Sequence, residues 1–431
     1  MKRKIGTFFM LFNLLFSHVL IAQNQPQFST LKELWREADQ NNMQLKIVKT
    51  NLDKSRVRTD ILKEERLPEI GVDLEYSQIS NMPVFTNGLF NSPQYNAVVH
   101  HSYSAELNAD FNLYNGGKLK NSIQQNKLNE NIAHEKILRE ATDVHYQIIA
   151  YYLDIYRNVE YENFLKKDIK ERETHLKDIK NLFEKGVILK SDVLRAELSL
   201  SQQNEILKVT ENNIAISTNA INRITGAAEN RKIMPELDFK VYIDENNSVE
   251  QVHDYKILQD ETSKSQLELQ KVKSNVYPKI NLFAHYGYSY PQILFYPYEI
   301  AWYGLGMAGV KVTFPISNLY TNKKKRQQAE IEISSNQLKT EDFQQKYYEE
   351  LSRLQIRYKE SLEKIEIAEK NIDLANETYR IMKNSYFAQL VLLTDFLTAE
   401  NELLQANFDY ATAKTNAELL KYQLLKLSGK L

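Results

Sequence analysis

Two periods of hydrophobicity alternate along the chain. From Ile70 to Ser77 the apolar Ile70, Val72, Leu74 and Tyr76 take every second place, with Gly71, Asp73, Glu75 and Ser77 between them. The same period sets Tyr103, Ala105, Leu107, Ala109, Phe111 and Leu113 against Ser104, Glu106, Asn108, Asp110 and Asn112. Each run predicts a β-strand with one wholly apolar face. A second pair follows. Ile280, Leu282, Ala284, Tyr286, Tyr288 and Tyr290 alternate with Asn281, Phe283, His285, Gly287 and Ser289. A fourth strand sets Trp302, Ala308, Val310, Val312, Phe314 and Ile316 on one face and Lys311 and Thr313 on the other, with Leu305 and Met307 blurring the pattern. The strands run about ten to thirteen residues, long enough to cross a bilayer at a tilt. Aromatic residues crowd their loop-side ends: Tyr95, Tyr103, Tyr288, Tyr290, Phe295, Tyr296, Tyr298, Trp302 and Tyr303. A membrane β-barrel with an aromatic girdle has this pattern, and so do the half-buried strands of a soluble two-sheet domain.

Elsewhere the period is helical. Thr30 and Glu33 form a capping box that predicts a helix to about Glu65, ending before Pro68. From Gly117 to Phe183, and again from Tyr320 to Tyr386, no Pro or further Gly interrupts the chain. Each stretch therefore predicts one helix of ~100 Å at about 1.5 Å per residue. In the second, Leu351, Leu354, Tyr358, Leu362, Ile365, Ala368, Ile372, Ala375, Tyr379, Met382 and Tyr386 recur by threes and fours, a coiled-coil seam. The first is patterned less cleanly, through Ile148, Tyr152, Ile155, Val159 and Leu165. Each long helix is expected to reverse at the end far from the strands and return, from about Ser191 to Thr225 and from about Thr394 to Ser428. The alternation of Leu237, Phe239, Val241 and Ile243 predicts a short strand, and Ser248 and Gln251 predict a helix start running to about Asn275.

The two halves echo each other. Leu189, Asp192, Leu194, Ala196, Glu197, Leu200, Gln202 and Asn204 return 203 residues later as Leu392, Asp395, Leu397, Ala399, Glu400, Leu403, Gln405 and Asn407. The same offset pairs Ala105, Phe111 and Asn115 with Ala308, Phe314 and Asn318, and Gly226 with Gly429. A unit of about 200 residues is too long for a solenoid repeat, so two similar halves are expected to face each other in one body. The expected division is an export signal over 1–22, a first repeat over 23–226, a linking segment over 227–248 and a second repeat over 249–431.

Composition narrows the function. A net charge of −1 among 431 residues gives no reason to invoke nucleic acid. With no Cys, disulfides, thiolate metal sites, a Cys nucleophile and an N-terminal lipid anchor are excluded. Lys2, Arg3 and Lys4 precede an apolar stretch from Ile5 to Ala22, which reads as an export signal rather than a retained anchor, because Asn13 and His18 are costly in lipid. Catalytic signatures are missing: no HExxH, no phosphate loop and no Gly-x-Ser-x-Gly elbow, and the lone Glu250 to His253 pair falls short of a di-iron set. Neither an enzyme nor a cofactor is implied. An exported coiled-coil structural protein without channel activity is the alternative class.

Four strands cannot close a membrane barrel, and an open edge in lipid leaves backbone groups unpaired, so the chain is expected to oligomerise. Two copies would supply eight strands and three would supply twelve. At this point the chain resembles the TolC-type outer-membrane efflux and secretion channels. The resemblance rests on the order of helix, strand pair and long helix, on FEKGVILKSDVLRAELSL and RITG, and on the repeat of the whole with YFAQLVLLTDFLTAENEL. It implies a mixed α and β fold in two structural repeats, with long coiled-coil helical hairpins and four membrane strands per chain. It further implies a homotrimer closing a 12-stranded β-barrel over a 12-helix α-barrel. The partners implied are outer-membrane lipid, a periplasmic adaptor (membrane fusion protein) at the helix tips and an inner-membrane pump that supplies the energy.

Candidate residues follow from both readings. Asp192 and Asp395 follow Ser191 and Thr394, where a hydroxyl cap and an acid in the first turn would stabilise the returning helices. The resemblance implies that Asp395 and Tyr386 belong to a periplasmic gate, although Val391 and Thr398 stand where the family has an arginine and a second aspartate. Leu390, Val391, Leu392 and Leu393 form an apolar run at an exposed tip, expected to be a constriction, a docking surface or a contact between protomers. Gly186 and Val187 match the family's tip turn, whereas Gln389 replaces that glycine in the second repeat. Asp73, Glu75, Glu106 and Asp110, with Lys311 as the main positive charge, would line a lumen that prefers cations. Lys323, Lys324, Lys325 and Arg326, with Lys118 and Lys120, fit either lipid phosphates or a solvated helix face.

Overall fold

The computed structural model describes residues 30–96, 98–242, 247–292 and 296–431. The export segment, Ile243 and Phe295 lie outside the described residues. In chain order the elements are α1 (Leu31–Asn41), α2 (Met43–Glu64), β1 (Glu69–Gln78), β2 (Met82–Val84), β3 (Gln94–Asn96), β4 (His101–Tyr114), α3 (Lys118–Glu184), α4 (Lys190–Thr225), α5 (His253–Lys273), β5 (Lys279–Tyr290), β6 (Tyr303–Thr313), α6 (Asn318–Phe387) and α7 (Leu393–Leu427). They divide between two compact units. One contains Gln44–Glu140 and Ser248–Glu349, the other Ala141–Asn247, Glu350–Leu431 and the N-terminal stretch to Met43.

In the first unit the strands form one antiparallel sheet, in the order β1-β4-β5-β6, so that β1 and β6 are its unpaired edges. The register brings the alternation of all four strands into phase. Val72, Leu107, Tyr286 and Gly306 form one row, and Ile70, Ala109, Ala284 and Ala308 another. One face of the sheet is therefore apolar throughout. That face is uncovered: Val72 is 66% exposed, Leu74 77% and Val310 62%. A soluble two-sheet domain would have buried these side chains, so that alternative does not hold. Near the loop end Tyr103 touches Tyr76, Tyr290 and Trp302, with ring centroids 5.2 to 6.2 Å apart. The fourth strand is shorter than the alternation suggests, because pairing stops at Thr313 and leaves Phe314 and Ile316 beyond it. A small hairpin of β2 and β3 was not legible in the sequence.

The second unit is a helical bundle built on the seams. In α6 every seam residue from Leu351 to Tyr386 is buried or half-buried. From α3, Ile148, Tyr152, Ile155 and Leu165 are almost wholly buried. The expected first helix breaks at Asn42, whose backbone leaves the helical region while its side chain donates to the Ile224 carbonyl at 3.1 Å. The Thr30–Glu33 capping box is present. The strand expected around Leu237 is absent from the described residues. Among the described residues that segment is held by side chains: the Tyr152 hydroxyl donates to the Glu236 carbonyl and accepts from its N–H, and Tyr358 accepts from the Tyr242 N–H. Ser248 caps only the single turn Val249–Gln251, and α5 begins after it. No described helix is long and apolar enough to cross a membrane.

Candidate functional site at the helix turns

The α3–α4 and α6–α7 turns share one backbone design. After α3, Gly186 takes a left-handed φ of 75°, its N–H donating to the Phe183 carbonyl and the Val187 N–H to Leu182. After α6, Gln389 takes a φ of 63°, its N–H donating to Tyr386 and that of Leu390 to Ser385. Each pair of bonds satisfies carbonyls left open at a helix end. The returning helices are not capped by hydroxyls. Leu189 and Leu392 occupy the cap positions and place Ser191 and Thr394 inside the first turn. Asp395 instead reaches back, its carboxylate accepting from the Leu392 N–H at 3.4 Å.

Both turns border one cleft of about 380 Å³. Its walls include Val187, Asp192, Tyr386, Gln389 and Val391 from among the candidates, together with Arg195, which sequence reasoning missed. Arg195 lies one helical turn beyond Asp192 and brings a cation to the wall of the cleft. Asp395, Leu390 and Gly186 are exposed and do not line the cleft. The apolar run divides by direction. Leu390 and Leu392 point outward at 77% and 70% exposure, Val391 packs against the core, and Leu393 is buried with Val193, Ala196, Tyr379, Tyr386 and Phe396. Burial, followed by the nearby Asp192 carboxylate, pushes the Tyr386 phenol above its ordinary pKa.

Further into the bundle lies a charged network that sequence reasoning also missed. Arg172 is almost wholly buried. It donates through Nε to Asp168 at 2.6 Å, through Nη1 to Ser199 at 2.6 Å and through Nη2 to Asn401 at 2.9 Å. Its Nη1 also lies 2.8 Å from Glu400 Oε2, whose other oxygen is 3.1 Å from His175 Nδ1. Tyr379 donates to Glu171 at 3.1 Å, so that the network spans α3, α4, α6 and α7. Burial raises the Asp168 carboxyl, and burial with the carboxylates of Glu171 and Glu400 raises the Tyr379 phenol.

On the sheet, Asp73, Glu75, Glu106, Asp110 and Lys311 share the face opposite the apolar one. Asp73 pairs directly with Glu106 and accepts a hydrogen bond from Asn108 Nδ2.

The profile of the family described as outer membrane efflux protein matches residues 34–227 and 261–430. No curated protein matches the chain by sequence. Among solved structures, the transmembrane channel CusC superposes with a TM-score of 0.79 at 15% identity, covering 93% of this chain and 92% of that one. VceC of Vibrio cholerae gives 0.73 at 16% identity, covering 93% and 96%. The CmeC outer-membrane channel of Campylobacter jejuni gives 0.73 at 15%, covering 93% and 85%. At these identities the likeness concerns the fold. A coiled-coil structural protein finds no support among these matches.

Proposed function

The chain belongs to the outer membrane efflux protein family, and from that premise we propose that three copies close a 12-stranded barrel in the outer membrane. Twelve helices would continue the barrel as a periplasmic tunnel. As the exit duct of a tripartite efflux or type I secretion system, the trimer would conduct substrate passively, with an inner-membrane pump supplying the energy and a periplasmic adaptor docking at the helix tips.

One observation carries this reading: a four-stranded sheet with an uncovered apolar face and two unpaired edges. Lipid satisfies the face, and only further copies satisfy the edges, because an unpaired backbone group in hydrocarbon costs several kcal/mol. A second apolar stripe supports lateral packing of copies: Ile356, Ile367, Leu374 and Ile381 on α6 are all exposed. Asp192, Tyr386 and Val391, with Asp395 and Leu390 at the rim, are proposed to form the periplasmic gate. Gly186, Val187, Gln389 and Leu390 would present the adaptor-docking tips. Asp73, Glu75, Glu106 and Asp110, with Lys311, would line the lumen.

The test is the native mass of the protein extracted from isolated outer membranes in mild detergent. Three chains per particle are expected, and a monomer released without detergent would overturn the barrel.

A further inference from the structure

Three segments of the sheet-bearing unit meet where the strands give way to helices. Asn318 donates to the Asn275 carbonyl at 2.8 Å, and Asn322 donates to that of Val272 at 2.7 Å. Gly116 packs so closely on the Ser274 carbonyl that a Cβ would lie 2.8 Å from it. The β4–α3 turn, the end of α5 and the start of α6 are thereby fastened together.

Cations predominate in these segments. No carboxylate occurs between Asp110 and Glu130, between Glu268 and Glu299, or between Glu299 and Glu330. The same intervals hold Lys118 and Lys120, Lys279, and the run Lys323 to Arg326. A chain with 55 basic and 56 acidic residues is balanced overall, so this segregation is local. Lys271 pairs with Glu268 and Arg326 with Glu330. Lys118, Lys279, Lys323 and Lys325 form no ion pair among the described residues. Burial, followed by Lys279, Lys271 and Lys325, lowers the Lys118 ammonium against the opposing pull of Glu268. Beside them Tyr114, Tyr277, Phe314 and Tyr320 are exposed, next to the uncovered apolar face. An apolar band, then tyrosines, then lysines is the sequence of environments from hydrocarbon through the interface to the headgroups.

We propose that this basic collar binds the phosphate groups of anionic phospholipids in the leaflet on the helical side of the membrane. The proposal rests on the barrel reading. A solvated helix face would not need acids excluded from three separate segments that converge at one level of the sheet.

The test reconstitutes the full chain into vesicles of phosphatidylethanolamine with phosphatidylglycerol and measures the lipid retained on the extracted oligomer by native mass spectrometry. The wild type is expected to retain phosphatidylglycerol severalfold over its share of the vesicle. K118Q/K279Q/K323Q/K325Q is expected to lose that enrichment, and the corresponding four-fold Lys→Arg variant to keep it. Equal enrichment in the Gln variant or loss of enrichment in the Arg variant would each overturn the collar. Release of the wild type from vesicles by alkaline wash would overturn the barrel reading itself. Stable insertion without enrichment would overturn the collar alone.

Discussion

Tyr386 stacks on Phe396, with ring centroids 5.6 Å apart and 15° between the planes, while its hydroxyl is buried without a hydrogen-bond partner among the described residues. The ring serves the core, and the hydroxyl is left beside the Asp192 carboxylate. An unsatisfied buried hydroxyl costs about 1–3 kcal/mol. Tyr386→Phe keeps the stack and removes that cost, so urea unfolding in detergent is expected to show stability equal to or above wild type by about 1 kcal/mol. A loss of similar size would mean that the hydroxyl gains a partner in the assembled channel, and channel opening should then be measured in the same variant.

Gln389 holds a left-handed backbone where the equivalent turn has Gly186. A side chain there costs roughly 1 kcal/mol relative to glycine. Gln389→Gly is expected to raise the thermal midpoint, and Gly186→Gln to lower it by a comparable amount. If adaptor docking reads the Gln389 side chain, crosslinking to the adaptor falls in the first variant while stability rises. The two readouts separate a turn residue from a docking residue.

Much of this fold was legible because period alone decides it. The face shared by Val72, Leu107 and Tyr286 follows from strict alternation, and the α6 seam from its steps of three and four. The helix stops were legible where glycine marks them, at Gly186 and Gly226. What period does not encode is a tertiary partner. The break at Asn42 depends on the Ile224 carbonyl, 182 positions away. The buried network was hidden because charged residues on helices are usually solvated. Its signal lay in position: Arg172 continues the buried series Leu165, Ile169 and leads on to Ile179, and Glu400 stands between the buried Phe396 and Leu404. A charge on a seam is the mark to look for.

The Arg172 network is expected to be costly to break and cheap to replace. Arg172→Leu leaves Glu400 and Asp168 buried without their cation, a loss of about 3–5 kcal/mol, whereas Arg172→Leu with Glu400→Leu should recover the share of it that falls on Glu400. A thermal double-mutant cycle in detergent checks this, with a coupling near zero as the contrary result. Burial raises the folded Asp168 carboxyl above its unfolded value. Its contribution is therefore fully present below the ordinary carboxylate range and is lost as pH rises through the folded value. The deficit of Arg172→Leu should shrink on acidification.

Alkaline pH tests the other side of the cluster. The Tyr379 phenol is raised from its ordinary 10.0 by burial and by neighbouring carboxylates. Below that value its contribution is complete. As pH climbs past it the unfolded chain ionises while the folded one does not, so stability falls until the folded phenol titrates. Tyrosinate absorbance is expected to rise together with unfolding, and Tyr379→Phe to reduce the slope of stability against pH in that window. An unchanged slope would remove Tyr379 from the account.

The sheet's polar face sets two consequences of one arrangement against each other. Asp73 and Glu106 stand directly opposite, and like charges in a cross-strand pair destabilise the pairing by a few tenths of a kcal/mol to about 1 kcal/mol. The Asn108 amide offsets part of that cost for Asp73, and a place in the proposed lumen would give both carboxylates a use. Asp73→Asn with Glu106→Gln is expected to raise the heat stability of the assembled oligomer slightly. In planar bilayers under a salt gradient, the reversal potential should shift toward weaker cation preference, because carboxylates in a narrow water-filled pore concentrate counter-ions. A wild-type channel that prefers anions would assign control of selectivity to Lys311 on the edge strand. An unchanged reversal potential with raised stability would mean that the pair faces away from the conduction path.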